Sequence, residues 1–219
     1  MLLKSLCFYE RYHIEDYIGA DESQLYTVPV PYIYYQSDKV TIDRNAFEGN
    51  VFTSKYWHLS LDATGAIPVD SDENEARKGM ADLDWVGELG PSIEYYLSGD
   101  HRTANNTYID FSVRKAIATD FSHLTDVGWS SQLSVKTNYQ LKSLFLKGKT
   151  QINGALTALA YSDKYSQYFY SVSKSEVTPT RPFYHAKGGY AGARLSIGGT
   201  WRKDNLWLGI YARYTHLDN

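Results

Sequence analysis

The chain has 219 residues, enough for one domain with a sizeable core or a closed barrel, and carries 22 basic and 25 acidic side chains for a formal net charge of −3. That balance excludes a polycationic nucleic-acid surface, and a single cysteine, Cys7, excludes an intrachain disulfide. The lack of any apolar run of about 18 residues excludes a membrane-spanning helix. Aromatic content is high, with 20 Tyr, 5 Trp and 8 Phe. Amphipathic rings of this kind collect where one end is apolar and the other wet, as at a membrane interface, although a Tyr-rich soluble β-protein shows the same excess. The mean hydropathy of −0.43 does not speak against a membrane barrel, since half of each barrel strand faces a polar interior.

In chain order, residues 1–15 read as a leader of uncertain status. Their short apolar stretch runs at once into Glu10, Arg11 and His13, so no secretory signal is present in the chain. Residues 26–35 form a strand candidate in which Pro29 and Pro31 cannot donate ladder hydrogen bonds, which suggests an edge or irregular strand. A shorter candidate covers residues 39–43. Then Trp57, Leu59, Leu61 and Ala63 alternate with His58, Ser60, Asp62 and Thr64. The acidic stretch 70–84 reads as a loop. Beyond it Trp85, Leu89, Ile93, Tyr95 and Leu97 share a face opposite Glu88, Ser92 and Glu94, and Ile109, Phe111 and Val113 interleave with Asp110, Ser112 and Arg114.

The strongest pattern runs from Val127 to Leu141. Val127, Trp129, Ser131, Leu133, Val135, Thr137, Tyr139 and Leu141 lie on one face, with Gly128, Ser130, Gln132, Ser134, Lys136, Asn138 and Gln140 on the other. Period two sustained this long means one long amphipathic strand, well beyond the usual five or six residues and matching the roughly nine to eleven of a tilted membrane strand. Residues 144–161 and 165–172 are weaker strand candidates, and 174–187 reads as a second long loop. Ala191, Ala193, Leu195, Ile197 and Trp201 then oppose Tyr190, Arg194 and Ser196. After a polar turn at 202–205, Leu206, Leu208, Ile210, Ala212 and Tyr214 oppose Trp207, Tyr211, Arg213 and Thr215. No segment has persuasive helical periodicity. The expectation is an all-β, antiparallel transmembrane β-barrel with about ten visible strands. Counting back from the last hairpin puts the 70–84 loop on the side where short turns belong, so the count holds only to about two.

Chemistry finds little purchase. The six histidines, His13, His58, His101, His123, His185 and His216, make no H-x-x-x-H spacing. Ser122–His123 and Thr215–His216 are sequence neighbours, which point to opposite faces of a strand. Asp70, Asp72, Glu73 and Glu75 lack the EF-hand order. No catalytic, cofactor-binding or metal residues are assigned. The inferred lumen face carries Asp62, Glu88, Glu94, Asp110, Arg114, Lys136, Arg194 and Arg213, and about ten to twelve strands leave an interior that such side chains nearly fill.

Several segments resemble the MltA-interacting protein / OmpV (MipA/OmpV) family of outer-membrane proteins. They are Asp16-Tyr17-Ile18-Gly19-Ala20-Asp21-Glu22 with Val28-Pro29-Val30-Pro31-Tyr32, then Lys78-Gly79-Met80-Ala81-Asp82-Leu83-Asp84-Trp85. The stretch 165–172 leading to Gly188-Gly189-Tyr190 and the closing Tyr211-Ala212-Arg213-Tyr214-Thr215-His216-Leu217 complete the set. The resemblance makes Tyr17, Gly19, Pro29, Pro31, Gly79, Met80, Asp84 and Trp85 family-motif positions, read as structural. It implies residence in the cell outer membrane among its lipid, and a non-enzymatic scaffold that brings a lytic transglycosylase together with a peptidoglycan synthase through periplasmic turns. A narrow channel, a surface adhesin-like barrel and a soluble ligand-binding β-barrel are the alternatives. Family members carry a signal peptide and an opening strand, and they continue into a further terminal strand. By that measure the chain reads as a leader over 1–15 and an incomplete barrel over 16–219. On that reading it is a fragment lacking the first and last strands of about twelve.

Overall fold

Backbone amides and carbonyls must all be paired where water is scarce, and a chain of long period-two segments joined by short polar turns can do this only by pairing each segment with the next. In the computed structural model the backbone is described for residues 2–15, 17–20, 23–36, 40–42, 47–142, 148–204 and 206–218. Side chains are described for 17–20, 51–141, 148–204 and 206–218. The strands are β1 (Leu2–Glu15), β2 (Ser23–Gln36), β3 (Val40–Ile42), β4 (Phe47–Thr53), β5 (Trp57–Ala66) and β6 (Trp85–Ser98). They continue with β7 (Asn106–Thr119), β8 (Leu124–Lys142), β9 (Lys149–Tyr161), β10 (Gly189–Lys203) and β11 (Leu206–Leu217), with one helix, α1 (Asp163–Tyr170), between β9 and β10. All pairings are antiparallel, and spatial order equals chain order from β1 to β11 in one sheet. No pairing joins β1 to β11 among the described residues. The turn after β1 nevertheless reaches the far end of β11: a Cβ on Gly19 would lie 2.3 Å from Leu217 Cδ1. Among the described residues no helix is long and apolar enough to cross a membrane, which leaves strands aside.

The two faces of the sheet are inverted relative to a soluble protein. Along the middle of β5 to β8 the buried side chains include His58, Ser60, Ser92, Glu94, Asp110, Ser112, Arg114, Ser130 and Ser134, while toward the strand ends Val86, Tyr96, Ala116, Ala118 and Val127 are buried as well. The exposed ones are Leu61, Leu89, Ile93, Phe111, Leu133 and Val135, with Leu89 55% and Leu133 51% accessible. The polar face is concave. Arg114 on β7 meets Asp62 on β5, and the Ser130 hydroxyl on β8 donates to Glu88 on β6, so side chains two strands apart touch across it. Ser60, Ser92 and Ser112 stand in register across β5, β6 and β7, and small side chains there let a sheet curl tightly. Aromatic rings ride the outer face near the strand ends. Trp57 packs on Tyr95 (4.7 Å) at one end, and Trp85 lies near Phe121 (6.3 Å) at the other.

Several expectations need correction. Residues 165–172, read as a strand, lie mostly in α1. Ser162 caps the helix, its hydroxyl accepting from the Tyr165 amide (3.4 Å), and Tyr165 and Phe169, four residues apart, are its buried face. The expectation that no helix occurs therefore fails. Aromatic residues lean toward strands as an average preference, which tertiary packing overrides. Removing that strand also corrects the loop count. Residues 67–84 and 162–188 emerge at the same end of the sheet, opposite the 54–56, 99–105 and β10–β11 turns. Phe47–Thr53 is a strand the sequence reading missed. Residues 2–15 form β1, which pairs with β2 along its length. Val127 does not share the outward face of β8. The β7–β8 register shifts between Ala116↔Gly128 and Ile117↔Asp126, and Val127 turns inward to 1% exposure. From Trp129 to Leu141 β8 keeps the expected alternation, within a strand of 19 residues.

Candidate functional site

The end of the sheet that carries the long connections is capped, and most of the family-motif positions gather there. The segment 67–84 folds back on itself through Val69 and Leu83, whose amides and carbonyls pair reciprocally (2.8 and 3.0 Å). Ser71 fixes the far side: its amide donates to Asp82 Oδ1 and its hydroxyl to the Ala81 carbonyl, both at 2.8 Å. Arg77 sits buried at the centre of this loop. Its guanidinium donates to Ser71 Oγ (3.2 Å), the Ala81 carbonyl (2.9 Å) and the Phe169 carbonyl at the end of α1 (3.1 Å). The same group lies 5.7 Å over the Tyr17 ring. Burial lowers its pKa, with Tyr17 opposing the shift, and a guanidinium starts so high that it stays charged.

Helix α1 lies against the mouth of the concave face. The Tyr165 hydroxyl donates to Glu88 Oε1 (2.8 Å), and burial followed by the Glu88 charge pushes its pKa up. The Tyr168 hydroxyl accepts from the Asp84 amide (3.0 Å), and the Tyr170 hydroxyl donates to the Ile18 carbonyl (3.1 Å). Gly128 makes the close approach possible. Its φ is +104°, and a Cβ there would stand 2.3 Å from Ser162 Oγ, the atom that accepts from the Trp129 amide. From the second long connection, Arg181 donates to the Ala76 (2.8 Å) and Lys78 (3.1 Å) carbonyls, tying the two loops together. Between them lies a cavity of about 440 Å³ whose wall includes Met80, Leu83, Tyr168, Val172, Phe183 and Tyr184.

Of the positions singled out by sequence, Tyr17, Gly19, Gly79, Met80, Asp84 and Trp85 come together at this capped end. Tyr17 packs edge-on against Tyr170 (6.1 Å), Gly79 takes a turn at φ +77°, and Trp85 projects outward from the first position of β6. Pro29 and Pro31 stand apart in β2, opposite Tyr9 and Cys7 of β1. Short β3 pairs only with Tyr35 and Gln36, so among the described residues the prolines face no second neighbour. Two residues apart, their nitrogens point to the same side of the strand, and neither carries a proton to donate to a ladder. Arg77, Tyr165 and Arg181 were not singled out. Their partners are loop carbonyls and a residue 77 positions away, and no local spacing announces such contacts.

The concave face is filled by pairs. Arg114 and Asp62 meet at 2.5 Å, and Lys136 Nζ lies 3.2 Å from Asp110 Oδ1. The Ser92 hydroxyl donates to Asp110 Oδ2 (2.7 Å), and Ser134 and Thr157 share a hydrogen bond (2.9 Å). Asp62, Glu88, Glu94, Asp110, Arg114 and Lys136 all lie on this face, as their alternation suggests. Such packing leaves no wide aqueous bore among the described residues.

At the opposite, short-turn end, a different group assembles. His58 on β5 is fully buried and stands in register with Glu94 on β6. His101, from the turn between β6 and β7, stacks on His58 with ring centroids 3.7 Å apart and planes 16° apart. Donor atoms of His58, Glu94 and His101 lie within 4.8 Å of one another. The sequence gives each residue separately, 36 and seven positions apart, and only strand pairing unites them.

No curated protein and no solved structure matches the chain. The family description MltA-interacting protein MipA matches residues 11–219, a span that begins within β1 and takes in the capped end, the filled concave face and the histidine cluster. An all-β meander with these motif positions gathered at one end, matched over nearly its full length, belongs to the MltA-interacting protein MipA family.

Proposed function

We propose that this chain works in the outer membrane as a non-enzymatic scaffold that holds a lytic transglycosylase near the cell wall, with a peptidoglycan synthase as a second client. The observation that carries the membrane half of this reading is the inverted sheet. Leu61, Leu89, Ile93, Phe111, Leu133 and Val135 face outward while serines and ion pairs face inward, an arrangement that water penalises and a lipid annulus satisfies. Strand length supports it. The 14 residues of β6 or β7 extend roughly 45 Å, which a tilt near 45° reduces to about 30 Å, the thickness of a bilayer core. A soluble ligand-binding barrel needs the reverse pattern. The interaction half rests on the family description. On this reading the short-turn end, with 54–56 and 99–105, faces the periplasm and is the docking surface, because outer-membrane barrels keep short turns there and long loops outside.

Two measurements test it. Full-length protein should sediment with outer membranes and migrate differently on gels before and after heating, whereas recovery in the soluble fraction would end the membrane reading. Immobilised protein should retain a purified lytic transglycosylase without conducting in planar bilayers. Steady single-channel steps with no retention would favour the narrow-channel reading instead.

A further inference from the structure

The histidine cluster at the short-turn end has the make-up of a metal site, and we infer that His58, Glu94 and His101 bind one divalent transition ion, with Zn²⁺ as the best-suited metal. Two imidazoles and a carboxylate are a borderline donor set that suits zinc rather than calcium or magnesium, which take oxygen ligands. Three protein ligands leave a fourth position, and a cavity of about 300 Å³ bounded by Thr53, Ser54, Lys55, Asp100 and Arg102 adjoins His101.

The surroundings orient each ligand. Thr53 Oγ1 lies 2.8 Å from His58 Nδ1, and by accepting from an Nδ1–H it would leave Nε2 to face the ion. The Tyr96 hydroxyl donates to Glu94 Oε2 at 2.5 Å and stands 3.5 Å from His101 Nδ1. One phenol thus braces two ligands, the outer-sphere hydrogen bonding that metal sites use to aim imidazoles and carboxylates. The turn that carries His101 is itself locked. Asp100 Oδ1 accepts from the Arg102 (2.8 Å) and Thr103 (2.9 Å) amides, and the Asn106 side chain donates to the Asp100 carbonyl (3.1 Å). Ring lone pairs lie in the ring planes, so two stacked imidazoles cannot both aim at one ion. Binding therefore needs the His101 ring to rotate about its side-chain bonds out of the stack, on a turn whose backbone stays held, while His58 stays fixed in its strand. The ion then pins the β6–β7 turn to β5 and β6.

The test uses full-length protein folded in detergent micelles. Calorimetric titration with Zn²⁺ should give one ion per chain. His101→Ala and Glu94→Gln should each weaken binding by at least about ten-fold, while His123→Ala and His185→Ala leave it unchanged. In the unsubstituted protein, Zn²⁺ should shift the ring resonances of two histidines, those lost in His58→Ala and His101→Ala; if His58→Ala does not fold, the His101 signal decides alone. Absence of saturable one-to-one binding, undiminished affinity in folded His101→Ala, or shifts confined to other histidines would each overturn the assignment.

Discussion

Arg77 is the residue on which the capped end converges, because one guanidinium serves Ser71, Ala81 and the Phe169 carbonyl near the end of α1 at once. Helix C-terminal carbonyls need a donor from outside the helix, and Arg77 supplies it to Phe169. Arg77→Met keeps the bulk but leaves buried carbonyls without a donor, at about 1–3 kcal/mol each. The expected outcome is faster amide exchange and protease cutting in 67–84 and 162–188, with the sheet itself still heat-modifiable. Asp120 governs the turn between β7 and β8 in a pH-dependent way. Hydrogen bonds from the His123 amide first, then from the Ser122 hydroxyl and amide, hold its carboxyl well below the ordinary value of 3.8. A depressed folded pKa contributes stability that is complete above about pH 4 and disappears as pH falls through the lower folded value. An amide chemical-shift titration of Ser122 and His123 should therefore show its midpoint below 3.8, and Asp120→Asn should abolish the transition.

Helix α1 shows how an element can be hidden from its own sequence. Its residues Tyr165, Tyr168, Phe169 and Tyr170 read as strand by average preference, and eight residues are too few for a convincing period. The helix exists because Ser162 caps it and because a concave mouth receives Tyr165. The cap was visible in principle as Ser162-Asp163 before the aromatic run, a recognised start signal. The sheet, by contrast, was legible because each slip by one residue would exchange outward apolar for inward polar side chains. Val127 escaped that rule through a bulge, and His58 with Glu94 and His101 escaped it because pairing, unlike alternation, is not written in either strand alone. Ser162→Ala should cost about 1 kcal/mol from the lost cap, and rather more in full, since the Trp129 amide loses its acceptor too. Circular dichroism and denaturant titration would read this as a helix that frays before the sheet melts.

At the scale of the molecule, the outward face decides where the chain can live. Leu133→Arg places a guanidinium in the middle of the apolar band, and the expected penalty is about 2–4 kcal/mol in urea-titrated folding into lipid vesicles. A change on the concave side, such as Ser112→Ala, should leave that partition unaltered, so the pair of variants separates lipid exposure from general damage. A concave face occupied by Asp62–Arg114 and Asp110–Lys136 fits the proposed action through the ends of the sheet rather than through a bore.

The coincidence of chain order and spatial order has a consequence for assembly. Every ladder joins neighbours in sequence, so the sheet can grow one hairpin at a time without waiting for a distant partner. Among the described residues, what binds the start of the chain to its later half is the rim alone: Tyr170 reaching Ile18 across 152 residues, and Gly19 against Leu217. These contacts can form only after α1 and β11 have been made. The rim therefore latches late, once α1 and the last hairpin are in place, and ties the first turn of the chain to its final strand.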